Sequence, residues 1–395
     1  MSDETQDATA QGAAPSEGVA EKEGFAGYEL DTAREPVVVG ATALFVLVFP
    51  YVFARMPVVS GILQGYQGLA TLMLIWGIFA LGFDLLLGYT GLLSFGHAAF
   101  WGGSAYAAGV FSQFAAESLG FEAGPVIIVV VGTLFAVLLA WGLGFLSLRR
   151  GGIYFSILTL AFAQMMFYLS SAPLSGITGG ENGFTAVTVG HLFGVFELES
   201  ELPSVLGTLM GTWLYAFVGL MTVVSVAVAY RILNSPYGMV FRAIRENEQR
   251  TEFVGLNVWR YKLMSFVISG AFAGVAGSLF TIHGNYVPLQ SLYWTESGEI
   301  VIMAVLGGAG SLFGPMLGAG IYLYFENIVS GVRDLTVPFT DIVLLQGFGE
   351  YWHLLLGVLF VLVVWFFPRG IWGLFQDLRN RVTGGDSAAE TGGER

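Results

Sequence analysis

Few side chains in this sequence could do chemistry, and most of them sit in apolar surroundings. Asp84, within Leu81-Gly82-Phe83-Asp84-Leu85, is the only acidic residue deep in an early apolar segment. A carboxylate placed there either faces a bundle interior for a functional reason or lies near a segment end within reach of water. Ser94 and His97 stand three apart, but no acidic third member or nucleophile-turn pattern accompanies them, which excludes a hydrolase triad. His97 is then either a donor to a passing solute or a hydrogen-bonding group between helices. Three glycine-rich clusters flank these residues. The first holds Gly91, Ser94 and Gly96; the second Thr178, Gly179, Gly180, Asn182 and Gly183; the third Gly307, Gly308 and Gly310. Glycine frees the backbone to unwind, and the released N–H and carbonyl groups can coordinate a polar solute. The alternative use of such glycines is close helix packing. A phosphate-cradling loop needs glycines followed by Lys and Ser or Thr. The two lysines lie instead in Glu-Lys-Glu (Lys22) and Tyr-Lys-Leu (Lys262), so ATP hydrolysis is not expected of this chain. With no cysteine there are no disulfides, thiolate metal sites or iron–sulfur clusters, and no cofactor is expected.

The elements that must position these groups are membrane helices. Hydrophobic residues make up 55% of the 395 and charged residues only 11%, far below the quarter or so typical of soluble proteins. Mean hydropathy is +0.71. The 55 glycines are about twice the ordinary share. This predicts an all-α, polytopic transmembrane bundle. The net charge of −13 is concentrated at the start, where the first 36 residues carry nine acidic side chains against Lys22 and Arg34. That stretch lacks apolar periodicity and reads as a disordered tail, residues 1–35, with a second tail over 371–395. Fourteen arginines against two lysines, with so much acid, resemble proteins of a salt-saturated cytoplasm and point to a halophilic archaeon; the plainer reading is an acidic tail. No signal peptide is expected, because the N-terminus is acidic and polar.

Apolar stretches of bilayer length fall at 36–54, 61–87, 92–113, 125–148, 152–172, 205–232, 263–283 and 350–368. The region 299–327 is also apolar but broken by Gly307, Gly308, Gly310, Gly314, Pro315 and Gly318. Basic residues crowd Arg149-Arg150, the 233–262 loop and the segment after 368, whereas 114–124 and 173–204 carry only acidic ones. Putting the basic loops in the cytoplasm gives cytoplasmic termini, provided that 299–327 crosses an even number of times. A pair of short helices there makes about ten membrane segments in a permease domain over 36–370. Arg55 and Arg333 fall on the wrong side.

The loop Ser235 to Lys262 is unusually patterned for a connector. Ser235-Pro236 is a helix start, with a hydroxyl at the N-cap and proline at the first helical position. Phe241, Ile244, Glu248 and Thr251 share one side, Arg242, Arg245 and Asn247 the others, and Gly255 is placed to end the helix. Such a helix lies on lipid or sets its apolar ridge into a partner's groove. Its narrow apolar face and lack of lysines favour the partner.

The run Ser235-Pro236-Tyr237-Gly238-Met239-Val240-Phe241-Arg242-Ala243-Ile244-Arg245-Glu246-Asn247-Glu248, continuing to Gly255, resembles the coupling loop of LivM-type permeases. These are membrane subunits of branched-chain amino acid ABC importers. Gly88-Tyr89-Thr90-Gly91-Leu92-Leu93-Ser94-Phe95-Gly96-His97, Arg150-Gly151-Gly152-Ile153-Tyr154-Phe155, Thr178-Gly179-Gly180-Glu181-Asn182-Gly183 and Gly307-Gly308-Ala309-Gly310-Ser311 continue the likeness, in order, over roughly 60 to 370. Asp84 departs from it, since an amide or small polar residue is more usual there. The resemblance implies that Phe241, Arg242, Ala243, Ile244, Arg245, Glu246, Asn247 and Glu248, through Gly255, form the coupling element seated in an ATPase subunit. It implies two such ATPases, a second LivH-like permease and an extracellular substrate-binding protein. The glycine clusters, with Asp84, Ser94 and His97, would line the path of an amino acid's ammonium and carboxylate. A urea or short-amide importer shares these motifs. An ion-coupled secondary carrier would need paired intramembrane charges, and Asp84 stands alone.

Overall fold

The computed structural model describes residues 35–56, 65–149, 151–331, 334–336, 343–346, 351–367 and 369–382. Most of both expected tails, together with Arg150 and Arg333, lies outside them. Seven helices among the described residues are long and apolar enough to cross a membrane. They include α1 (Glu35–Pro50), prolonged by a π-helical turn to Arg55, and α2 (Gln67–Thr90). After α3 (His97–Ser118) come α4 (Pro125–Ser147), α5 (Ile153–Ser171) and α6 (Trp213–Leu233). The short helices α7 (Pro236–Glu246) and α8 (Glu248–Phe253) lead into α9 (Val258–Gly284). The pair α10 (Trp294–Gly307) and α11 (Gly314–Gly331) follows, then α12 (Trp352–Phe366) and α13 (Gly370–Val382). A two-stranded antiparallel hairpin, Asp334–Thr336 with Val343–Gln346, lies between α11 and α12.

The broken segment 299–327 is thus two short helices, as the glycine and proline pattern predicts. α3, α10 and α11 pack among those seven helices in the bundle. α3 is built of Ala, Gly and Ser as much as of large apolar residues, and is shielded from lipid because most of it is buried. The C-terminal tail expected from 371 begins as helix α13, whose Trp372 packs on Phe313 in the α10–α11 turn.

Position in the bundle follows from how each helix distributes its apolar residues. The most apolar stretch of α2 is 94% buried, so this helix is surrounded on all sides by protein. α4 is as apolar but only 33% buried. It turns the stripe Gly132, Ala136, Ala140 and Gly144 inward and presents Ile127, Val130, Leu134, Leu138 and Trp141 to lipid. α9 meets that stripe with its own small residues. A Cβ on Gly274 would come within 2.6 Å of the Ala136 Cβ, and one on Gly270 within 2.5 Å of the Ala140 Cβ. Small residues every four positions let the two backbones approach, which drives association in a solvent as apolar as the side chains. Further along the same face of α9, Gly277 packs directly on the Trp101 carbonyl of α3. Gly277→Leu is expected to force these helices apart, at about 1–3 kcal/mol or more for overpacking. A clear fall in the melting temperature of the detergent-solubilised protein, read by size-exclusion chromatography after heating, checks this.

The chain ends of these helices define two rims. One carries α7, α8 and the α10–α11 turn. The other carries the 172–212 connection, where Arg55 reaches the Gly207 carbonyl at 2.6 Å and lies 3.9 Å from Glu201. Arg55, the residue that fits the charge alternation poorly, is therefore a structural tie between α1 and that connection.

Candidate functional site: the α7–α8 elbow and its seat on the bundle

Ser235 occupies the N-cap position of α7 and Pro236 its first turn, but the cap differs from expectation. The Ser235 hydroxyl turns back and donates to the Ile232 carbonyl at 2.6 Å. The helix also stops earlier than Gly255. Asn247 leaves the helical conformation (φ −159°, ψ 103°), and its side-chain oxygen accepts the Arg250 N–H at 2.9 Å, which starts α8. Asparagine competes with helix continuation through this kind of local bond, and here the competition wins. Gly255, at φ 91°, ends α8 rather than α7.

The break redirects the apolar ridge. Phe241, Ile244 and Val240 are buried against the bundle itself, at 0, 4 and 4% exposure, and Ala243 is half-buried. The expectation that the Phe241 and Ile244 ridge fills a partner's groove is therefore corrected: the membrane domain takes that face. Thr251 is buried too, its hydroxyl donating to the Asn247 carbonyl at 3.0 Å. Glu248 pairs with Lys262 at 2.6 Å and ties α8 to the first turn of α9. Exposed instead are Glu246, Asn247 and Arg250, and above all Phe253 (88%) and Val254 (72%) at the tip of the elbow. These last two escaped the sequence reading. The available signal was a pair of large apolar residues closing a polar helix immediately before a glycine.

The two arginines of α7 fasten it to the end of α2. Arg245 Nη1 donates to the Gly88 carbonyl, and the Arg242 guanidinium sits 5.5 Å from the Tyr89 ring centre. Cations at a helix C-terminus meet its unpaired carbonyls and the negative end of its dipole. One turn back on α2, Asp84 is 1% exposed, and both its carboxylate oxygens accept the Gly310 N–H, at 2.9 and 3.0 Å. Gly310 (φ 87°) and Gly308 (φ 116°) adopt backbone conformations that side chains rarely tolerate. A Cβ on Gly91 would touch the Arg245 side chain at 3.2 Å. Asp84, Gly88, Gly91, Arg245 and Gly310 thus form one junction among α2, α7 and the α10–α11 turn. Asp84 holds the backbone of the α10–α11 turn in this structure.

Ser94, Gly96 and His97 are equally enclosed. Beyond the exposed Gly91, the unwound stretch between α2 and α3 enters the bundle, where neighbouring hydroxyls satisfy its backbone. Ser156 donates to the Leu93 carbonyl at 2.6 Å; Thr159 and Ser297 accept the Phe95 and Ala98 N–H groups at 3.2 and 2.8 Å; Ser94 accepts that of Gly96 at 3.2 Å. His97, fully buried, is hydrogen-bonded to Ser269 of α9 at 2.8 Å, and the rings of Phe83, Phe100 and Phe266 stand edge-on around it. It is a link between α3 and α9, the structural alternative of the two expected. The second glycine cluster does not join the others. Thr178 donates to the Ser170 carbonyl at 2.6 Å, Phe184 pairs with Val287, and Tyr286 reaches the Asn182 carbonyl at 3.1 Å, all at the opposite rim. Gly179, Gly180 and Gly183 shape that knot with positive φ. Gly307 lets α10 lie against Gly314 and Gly318 of α11.

Seven helices of membrane-crossing length and a structured polar elbow anchored to the innermost of them describe a multi-pass membrane protein. A family model described as branched-chain amino acid transport system / permease component matches residues 65–364, and the chain belongs to that family. It is 28% identical to the high-affinity branched-chain amino acid transport system permease protein LivM of Escherichia coli K12, over 90% of this chain and 80% of that one. It is 29% identical to a probable LivM permease of Methanocaldococcus jannaschii, over 62% and 69%. The E. coli LivH permease is 25% identical over 78% and 94%. No solved structure matches. By name, all three are branched-chain amino acid transport permeases.

Proposed function

We propose that this chain is the permease through which branched-chain amino acids enter the cell, driven by separate ATPase subunits docked on the α7–α8 elbow. The observation that carries this reading is the elbow itself. Its inner face is locked to α2 by Arg245 and Gly88, and its tip exposes Phe253 and Val254 to a partner. A push on the tip would pass through Arg245 to α2 and through Asp84 to the α10–α11 turn. The elbow rim is assigned to the cytoplasm because it bears Arg149, Arg242, Arg245, Arg250, Arg260 and Lys262. The other rim bears Glu117, Glu122, Glu181, Glu197, Glu199 and Glu201, and Arg55 there is engaged by Gly207 and Glu201. Both termini are then cytoplasmic. A second, LivH-like permease would complete the translocation pore, and an extracellular binding protein would dock at the opposite rim near Pro288 to Glu299. The unwound 91–96 stretch, held by replaceable side-chain hydrogen bonds, is the point at which the bundle would rearrange between outward-open and inward-open states.

Gentle solubilisation of the tagged chain at high salt, followed by identification of what comes with it, tests the assembly. Two ATPase subunits and a second permease are expected. A stably folded chain that repeatedly purifies alone would contradict the proposal. Replacing Arg245-Glu246 by Gly-Gly is expected to lower thermal stability as well as coupling, because Arg245 holds α7 to Gly88.

A further inference from the structure

Beside the elbow lies a cavity of about 530 Å³, bounded by the end of α4, the start of α5, α8 and the first turn of α9. Its volume is in the range of small-molecule sites, about 300–1,000 Å³. Four charged side chains line it, two of each sign: Arg149 and Lys262, Glu248 and Glu252. Lys262 is buried, its side chain 11% exposed, and is engaged by Glu248 at 2.6 Å. Arg149 and Glu252 are in no ion pair among the described residues; the Arg149 guanidinium rests 4.7 Å from the Phe145 ring centre. The rest of the lining is mixed, with Leu92, Phe155, Leu256 and Trp259 beside Asn257 and the backbone of Gly151 and Gly255.

That combination selects a ligand class. A simple anion would be repelled by the two carboxylates, and a simple amine by the two cations. An uncharged apolar molecule would make no use of Arg149 or Glu252, which stand exposed at the mouth. A small zwitterion with an apolar side chain satisfies all three parts of the lining at once. Its carboxylate goes to Arg149, its ammonium to Glu252, and its side chain to Leu92, Phe155 and Leu256.

We propose that this cavity is a cytoplasmic binding site for a free apolar α-amino acid, through which accumulated cargo restrains its own import. The proposal rests on the functional reading above for the identity of the cargo and for the side on which the cavity opens. The restraint follows from which elements form the walls. α8 supplies Glu248 and Glu252 and carries Phe253 and Val254 at its end; α9 supplies Lys262. Any movement of α8 relative to α9 changes the cavity, so the amino acid binds the two poses of the elbow with different affinity. Only such a difference shifts an equilibrium. Occupancy would hold α8 against α9 and resist the stroke delivered at the tip.

The chain has no cysteine, so a single Gly151→Cys variant reports on the cavity alone. Gly151 lines it, and a side chain there meets no atom within 4 Å. In inside-out vesicles holding the full chain and its partners, leucine is expected to slow labelling by a membrane-impermeant maleimide. At ten times its dissociation constant the slowing should be at least about fivefold. Leucine amide, which lacks the carboxylate, and 4-methylpentanoate, which lacks the ammonium, should protect far less. Adding Glu252→Gln should weaken protection by leucine. A labelling rate indifferent to leucine overturns the proposal. So does a cysteine that stays unlabelled throughout, since a lipid head group or a partner subunit then fills the cavity. Uptake measured in parallel separates the two readings. Protection without ATP-driven leucine uptake keeps the site and sinks the importer; uptake without protection does the reverse.

Discussion

Replacing Phe253 and Val254 together by aspartate is expected to abolish transport-coupled ATP hydrolysis while leaving the permease folded. The two side chains are 88 and 72% exposed, so neither contributes to the packing of this chain. Set into a partner's groove, each would lose most of its contact with water. Full burial of a residue of this size stabilises by about 1.5–3 kcal/mol, and apolar anchors at the centre of an interface often exceed 2 kcal/mol on truncation. Two carboxylates in the same groove add desolvation without a partner. The combined loss, roughly 4 kcal/mol or more, corresponds to about a thousandfold in affinity for the ATPase. Co-purification of ATPase subunits and leucine-stimulated hydrolysis in proteoliposomes read the loss directly, and an unchanged melting temperature shows that the bundle survived. Normal coupling in the double variant would mean that the motor grips another part of the rim.

The second large effect is at Asp84. Asp84→Leu leaves the Gly310 N–H without the acceptor that both carboxylate oxygens supply, in a position 1% exposed on the aspartate side. An orphaned buried donor costs about 1–3 kcal/mol. Asp84→Leu should therefore lower the melting temperature sharply and uncouple the elbow from the α10–α11 turn. Asp84→Asn keeps an acceptor oxygen in place and should retain transport, with a stability loss of about 1 kcal/mol. The pair of variants separates an anchor from a solute-binding carboxylate. Loss of transport in Asp84→Asn at unchanged stability would show that the charge acts on the solute.

Much of this architecture was legible because lipid imposes long, one-dimensional patterns. The interrupted run at 299–327 reads as two helices, since Gly307 to Pro315 cannot continue one, and α10 and α11 are those helices. The helical coupling segment was legible from Ser235-Pro236 and its apolar spacing, but its orientation was not. The ridge of Phe241 and Ile244 shows that one face is buried without showing what buries it, and the bundle proved to be the partner. A single asparagine, Asn247, then turned the chain so that Glu248 and Thr251 left that ridge. Asp84 shows the same limit. Its partner Gly310 lies 226 residues away, and no local spacing connects an acid in α2 to a glycine N–H in a distant turn. His97 was read as one of two things, and only the surrounding Phe83, Phe100 and Phe266 choose between them.

The central claim, ATP-driven import through this permease, is most directly tested by uptake of radiolabelled leucine into right-side-out vesicles that carry the full assembly and the binding protein. The account predicts accumulation that requires ATP inside, persists when ion gradients are collapsed, and is not displaced by excess urea. Accumulation that follows an imposed proton or sodium gradient with no ATP present would contradict it and mark the protein as an ion-coupled carrier.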